Sequence, residues 1–138
     1  MKEKLPQEVQ GRWPTAAAIK RINSLLSISE NQYSQDWEFE ISDPERLCEY
    51  LDAYEHKLYN DDEKFALMSV IIDAFEYRGL DEETWSRIRQ HLKTDFALHE
   101  YTIHYWCCMD AEDADLSECW NILPWMRELW NECKSNQT

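Results

Sequence analysis

Along most of this chain apolar residues recur at three- and four-residue spacing, the interval of a helix that buries one face. Ile19, Ile22 and Leu26 stand at i, i+3 and i+7 in a stretch that opens near Thr15. Ser27 to Gln35, "SISENQYSQ", is polar and reads as a loop. "WEFEI" then alternates, with Trp37, Phe39 and Ile41 on one side and Glu38 and Glu40 on the other. Alternation is strand periodicity. It predicts one short extended segment near 37–41, without a partner strand, that pins three apolar side chains on the core.

"SDPE" at 42–45 is a helix start. Asp43 is placed to cap, Pro44 suits the first helical position, and Ser42 with Glu45 offers an alternative capping box. Leu47, Tyr50, Leu51, Tyr54 and Leu58 follow on one helical face. Asn60-Asp61-Asp62-Glu63 opens the next helix, with carboxylates at its positive end. Its body, "FALMSVIIDAF", is apolar nearly all round, which predicts a central buried helix, and Gly79 supplies the stop. Asp81 caps a helix with Trp85, Ile88 and Leu92 on one face. Thr94 or Asp95 caps another, through Phe96, Tyr101, Tyr105 and Cys108. "LSECWNIL" and "PWMRELWNECK" form a last pair of helical pieces divided by Pro124, which cannot continue the preceding hydrogen bonds.

The expectation is therefore an all-α fold. It has about six mostly antiparallel helices joined by short connections, with stacked helical hairpins as one arrangement open to it. At 138 residues it reads as a single helical domain, 1–138, with 1–14 and 134–138 loosely ordered. Two glycines and four prolines argue against a turn-rich β fold. The opening "MKEKLPQEVQ" has no apolar run, so no secretory signal is expected. No stretch approaches the roughly 20 apolar residues of a membrane span. Five cysteines, an odd number, read as reduced thiols. A cytoplasmic location follows as an expectation.

Charge changes the picture most. The chain holds 28 acidic and 14 basic side chains, for a net charge of −14. Such a surface repels phosphate and anionic lipid, so neither direct nucleic-acid binding nor membrane binding is expected. It attracts basic partners and speeds their encounter. Two zones concentrate the charge. Residues 29–63 hold twelve acids against Arg46 and Lys57; residues 110–132 hold seven against Arg127. The second zone contains "YWCCMDAEDADLSECW", residues 105–120, where Asp110, Glu112, Asp113, Asp115 and Glu118 crowd together.

Chemistry offers little there. As a calcium loop counted from Asp110, position six is Asp115 and position twelve is Asn121, where a glycine and a bidentate carboxylate are needed. His104, Cys107, Cys108 and Cys119 have the donor types for zinc. Yet adjacent cysteines on a helix point about 100° apart, and free cysteine is commonly a buried hydrophobe. No glycine stands near them to shape an oxyanion hole. His91 and His99 read as ordinary partly exposed histidines at helix ends, and His56 as a surface residue. Gly11 and Gly79 cannot build a phosphate cradle. No metal, no cofactor and no catalytic residue is expected, and the chain is not read as an enzyme. What remains is an acidic surface flanked by tryptophans, of which most belong to the core and one or two are exposed anchors.

"QDWEFEISDPERLCEYLDAYEHKL", "NDDEKFALMSVIIDAFEY", "LHEYTIHYWCC" and "WNILPWMRELW" together resemble small bacterial immunity proteins. These are encoded beside polymorphic toxins, including those of contact-dependent growth inhibition. The likeness spans roughly residues 35–132 and rests on helix order and aromatic-acidic blocks. It implies a protein that binds and neutralises a cognate toxin, and nuclease-type toxins have basic grooves that an acidic inhibitor fills. Immunity proteins share no common catalytic residue, so the resemblance assigns no role to any position. From charge and crowding, the expected partner surface is Asp110, Glu112, Asp113, Asp115 and Glu118, with Glu38, Glu40, Asp61, Asp62 and Glu63 as the rival. The other reading is a helical adaptor or scaffold whose acidity only solubilises it. Sequence leaves the oligomeric state open.

Overall fold

A computed structural model describes residues 13–28, 37, 41–107 and 120–135. They are all-α, with six α-helices of defined bounds and no strand among them. The chain falls into two compact units, Trp13–Gly79 and a second whose described residues begin at Leu80. Each is built by its own local logic.

In the first unit α1 runs Ala16–Leu25. Thr15 has extended backbone and its hydroxyl accepts from Ala18 N at 3.1 Å, satisfying a donor that the first turn leaves open. Ile19 and Ile22 face inward as expected, with Ala18 and Asn23. The helix ends in a left-handed Ser27, φ 57°. Ser27 N donates to Ser24 O, and Ile28 N donates to Asn23 O at 2.7 Å, the paired bonds of a Schellman turn.

Asn23 is polar yet buried because its Oδ1 accepts from Trp37 Nε1 at 2.9 Å, so each group satisfies the other. Of the segment expected to be extended, Trp37 and Ile41 are described, and both have helical backbone. Both are buried, as expected. Phe39, Glu38 and Glu40 lie outside the described residues.

Asp43 and Pro44 open a single 3₁₀ turn, Pro44–Arg46, that leads directly into α2, Leu47–His56. Asp43 Oδ1 accepts from Glu45 N at 3.0 Å, so Asp43, not the Ser42 alternative, makes the cap. The buried phenol of Tyr50 accepts from Asp43 N and donates to Ile41 O, which fastens the incoming chain to the helix. Arg46 clamps Glu49 with two bonds and donates to Leu26 O at 2.7 Å, tying the end of α1 to the start of α2. Helix α2 stops at His56, so Leu58 lies beyond it and is half-buried.

α3, Asp61–Arg78, packs against α1, α2 and the 3₁₀ turn. It is buried from Phe65 to Met68 and from Val70 to Glu76, with no solvent-facing stripe along its body. The unit is organised around it. Gly79 ends it with φ 114°, a backbone conformation that side-chain-bearing residues rarely adopt.

The second unit starts with α4, Glu82–Thr94, capped by Asp81 Oδ1 accepting from Thr84 N at 2.7 Å. One residue, Asp95, separates it from α5, Phe96–Trp106. Asp95 closes the first helix and opens the second through its backbone, and makes no side-chain cap. Thr94 is the last residue of α4 and accepts from Gln90 instead. The inward face of α5 is Phe96, His99, Thr102, Ile103 and Trp106. Tyr101 is half-buried and Tyr105 exposed, so the aromatic spacing in the sequence pointed to the wrong face. His99, expected to be partly exposed, is fully buried.

α6, Leu123–Ser135, packs on α5. Pro124 sits in its first turn, where the missing N–H costs no hydrogen bond. Trp120 to Ile122 form a non-helical turn before it. The helix continues through Lys134 and Ser135, the first two residues of the expected tail. Lys134 pairs with Glu100 at 2.7 Å and lies over the Trp130 ring.

Candidate interaction surface

Asp110, Glu112, Asp113, Asp115 and Glu118 lie outside the described residues; the frame on either side of them is described. On the near side α5 ends at Cys107, whose carbonyl accepts from Arg127 Nε at 2.7 Å. On the far side Trp120 stacks on Tyr105 at 5.3 Å between ring centroids and packs against Trp106 at 4.3 Å. The aromatic residues that bracket the acidic stretch in the sequence thus touch one another. Trp120, the first described residue after the acidic stretch, therefore lies against the end of α5. Trp106 is buried, Trp120 half-buried and Tyr105 exposed.

In the rival zone the first turn of α3 separates three neighbouring acids by role. Asn60 Oδ1 accepts from Glu63 N at 2.9 Å, and Glu63 Oε1 accepts from Tyr59 N at 3.0 Å. Asn60 is the cap, and Glu63 reaches back as in a capping box but takes the amide of Tyr59, one residue before the cap. Glu63 is only 5% exposed. Its carboxylate is bonded within its own chain, to Tyr59 N and Asn60 Nδ2. Asp61 and Asp62 are exposed at the positive end of the helix. Beside them Tyr59 is 79% exposed, with the Arg21 guanidinium 4.3 Å above its ring.

Other carboxylates are spent on structure. In α3, Asp73 and Glu76 are buried one turn apart. Burial pushes the Asp73 carboxyl above its usual range, Glu76 adds to the effect, and the Ser42 hydroxyl opposes it. That hydroxyl is buried and finds no hydrogen bond of good geometry among the described residues. Glu132 is the reverse case. Lys93 at 2.6 Å and Arg89 at 2.6 Å both bond it and hold its carboxyl below the usual range.

A cleft between α4 and α6 was not foreseen from the sequence. It holds about 180 Å³ and is lined by Glu82, Trp85, Arg89, Trp125, Glu128 and Leu129. Trp85 was expected on the core face with Ile88 and Leu92, yet it is half-buried and lies 5.5 Å from Trp125, the rings tilted by 50°. Buried Leu129 is part of the wall, and the Arg89–Glu132–Lys93 cluster joins the two helices beside the cleft. The available signal was the repetition of Glu, Trp and a long polar residue at helical spacing in two different helices.

Of the four residues with zinc donor types, Cys107 is buried and His104 packs edge-on against Trp130 at 5.1 Å, while Cys108 and Cys119 lie outside the described residues. Among the described residues no three His, Cys, Asp or Glu side chains gather as ligands, and no helix is long and apolar enough to cross a membrane. Compared with protein-family models, curated proteins and solved structures, the chain has no match.

Proposed function

We propose that this protein binds and neutralises a basic protein partner, in the manner of a cytoplasmic bacterial immunity protein acting on a nuclease-type toxin. One observation carries the reading: a net charge of −14 concentrated in two zones rather than spread over the chain. Crowded like charges lower the stability of the free protein and are relieved when a cationic surface arrives. Two further features support it. Tyr105, Trp106 and Trp120, which flank the acidic stretch in the sequence, pack on one another, and exposed Tyr59 stands beside Asp61 and Asp62, an aromatic among charges of the kind that anchors interfaces. The reading assigns no catalytic role and no cofactor.

The test is co-purification of a basic toxin domain from the native operon, followed by association kinetics. Reversing Asp113 and Asp115 to lysine is expected to slow association and flatten its salt dependence while the fold survives. Unchanged association at low salt in this variant, and equally in D61K/D62K, reduces the charge to solubility and favours the adaptor reading.

A further inference from the structure

The geometry of the cleft between α4 and α6 points to a binding site for a single arginine side chain of a protein partner. Its walls supply both halves of guanidinium recognition. Trp85 and Trp125 present two half-exposed indole faces at 5.5 Å, and an arginine plane stacks on such faces. Glu82 stands one turn before Trp85, and Glu128 one turn after Trp125, so each carboxylate shares a helix face with its indole. Both glutamates are exposed, and neither makes an ion pair or hydrogen bond among the described residues. In the same unit Glu100 and Glu132 are already paired.

The alternatives fit less well. An anion would look to Arg89, but that guanidinium is already bonded to both oxygens of Glu132. It would also have to approach past Glu82 and Glu128. An apolar side chain would cover the indoles while stripping water from two unpaired carboxylates, which is unfavourable. Lysine carries the right charge but is more strongly hydrated and lacks the planar fork that meets a carboxylate in two bonds. About 180 Å³ admits one side chain, well under the roughly 300 Å³ where drug-sized ligand pockets begin. The occupant's source, a basic protein, rests on the proposed function; the affinity of the cleft for guanidinium is measurable without any partner.

The experiment follows the indole N–H resonances of Trp85 and Trp125 in the full chain, assigned through W85F and W125F, during titration with N-acetylarginine N-methylamide. Saturable shifts at both are expected, weaker for the lysine analogue and absent for the norleucine and glutamate analogues. E82Q/E128Q changes only exposed side chains, so it should fold as the parent does and bind at least about threefold more weakly. D113K/D115K should leave the curve in place. No saturable shift, a response to the glutamate analogue, or equal weakening by D113K/D115K each overturns the assignment. If the cleft fails this test while toxin association still responds to D113K/D115K, only the cleft is lost. If the cleft binds guanidinium and no basic partner associates, the function reading falls and the site stands.

Discussion

The central helix of the first unit and the α4–α6 pair of the second use carboxylates in opposite ways. In the first, Asp73 and Glu76 are carried into the interior by a helix that is buried nearly all round, and Asp73 is harder to ionise for it. In the second, Glu132 stays near the surface between two cations and is easier to ionise. Where the helix itself is the core, acids are tolerated despite their chemistry. Where helices are two-faced, as α4 and α6 are, acids become the fastening between them. The second arrangement also leaves room for a cleft, because side chains rather than close-packed backbones join those helices.

This contrast can be broken most forcefully at the centre of α3. Phe75 is fully buried, and Phe75→Ala is expected to cost about 3–5 kcal/mol in a denaturant melt. Ile72→Ala should fall in the range of about 2–5 kcal/mol. A loss under about 0.5 kcal/mol would mean that α3 is not the organising helix of its unit.

Next in size is Glu132→Gln, expected to cost about 1 kcal/mol, since it weakens two partly exposed ion pairs. Its pH signature is the sharper readout. A carboxyl whose folded pKa is lowered adds stability that is complete above its unfolded pKa. That stability is lost as pH falls through the folded value. The parent and the variant should therefore differ at neutral pH and converge in acid. A constant difference across the acid range would show that the ion cluster contributes nothing.

The smallest expected effect has the opposite slope. Asp73 has a raised folded pKa, so the folded state holds its proton more tightly than the unfolded chain does. Its ionisation subtracts stability as pH rises from the ordinary carboxylate range through the folded value. Asp73→Asn should be the more stable protein at neutral pH, with an advantage that fades as pH drops below the unfolded value. An Asp73→Asn protein less stable than the parent at neutral pH would mean that the charge has a partner that burial alone does not reveal.

Much of this fold is legible from local signals. Thr15, Asp43, Asn60 and Asp81 all cap the helices they precede, and Gly79 ends the longest one. Each works through atoms within a few residues, so sequence carries the whole cause. The failures have a different origin. "WEFEI" alternates like a strand, but Trp37 is placed by a hydrogen bond to Asn23, fourteen residues away. Tyr101 and Tyr105 share a helical face that is not the buried one, because α5 turns Phe96, His99, Ile103 and Trp106 inward. Trp85 looks like core by spacing and becomes a cleft wall because of what α6 brings to it. For the site, the ends of the acidic stretch could be read as aromatic but not as touching, and Glu63 could be read as acidic but not as part of a cap.

The joint at Asp95 has a mechanical consequence. With a single residue between α4 and α5, the azimuth of α5 is set directly by the last turn of α4. Inserting one residue there would rotate the following helix by about 100°. His99, Ile103 and Trp106 would swing away together, Glu100 would lose reach of Lys134, and Trp120 would lose the indole on which it rests. The orientation of the last turn of α5 is thus geared to a coupling of one residue, ten positions upstream of Tyr105.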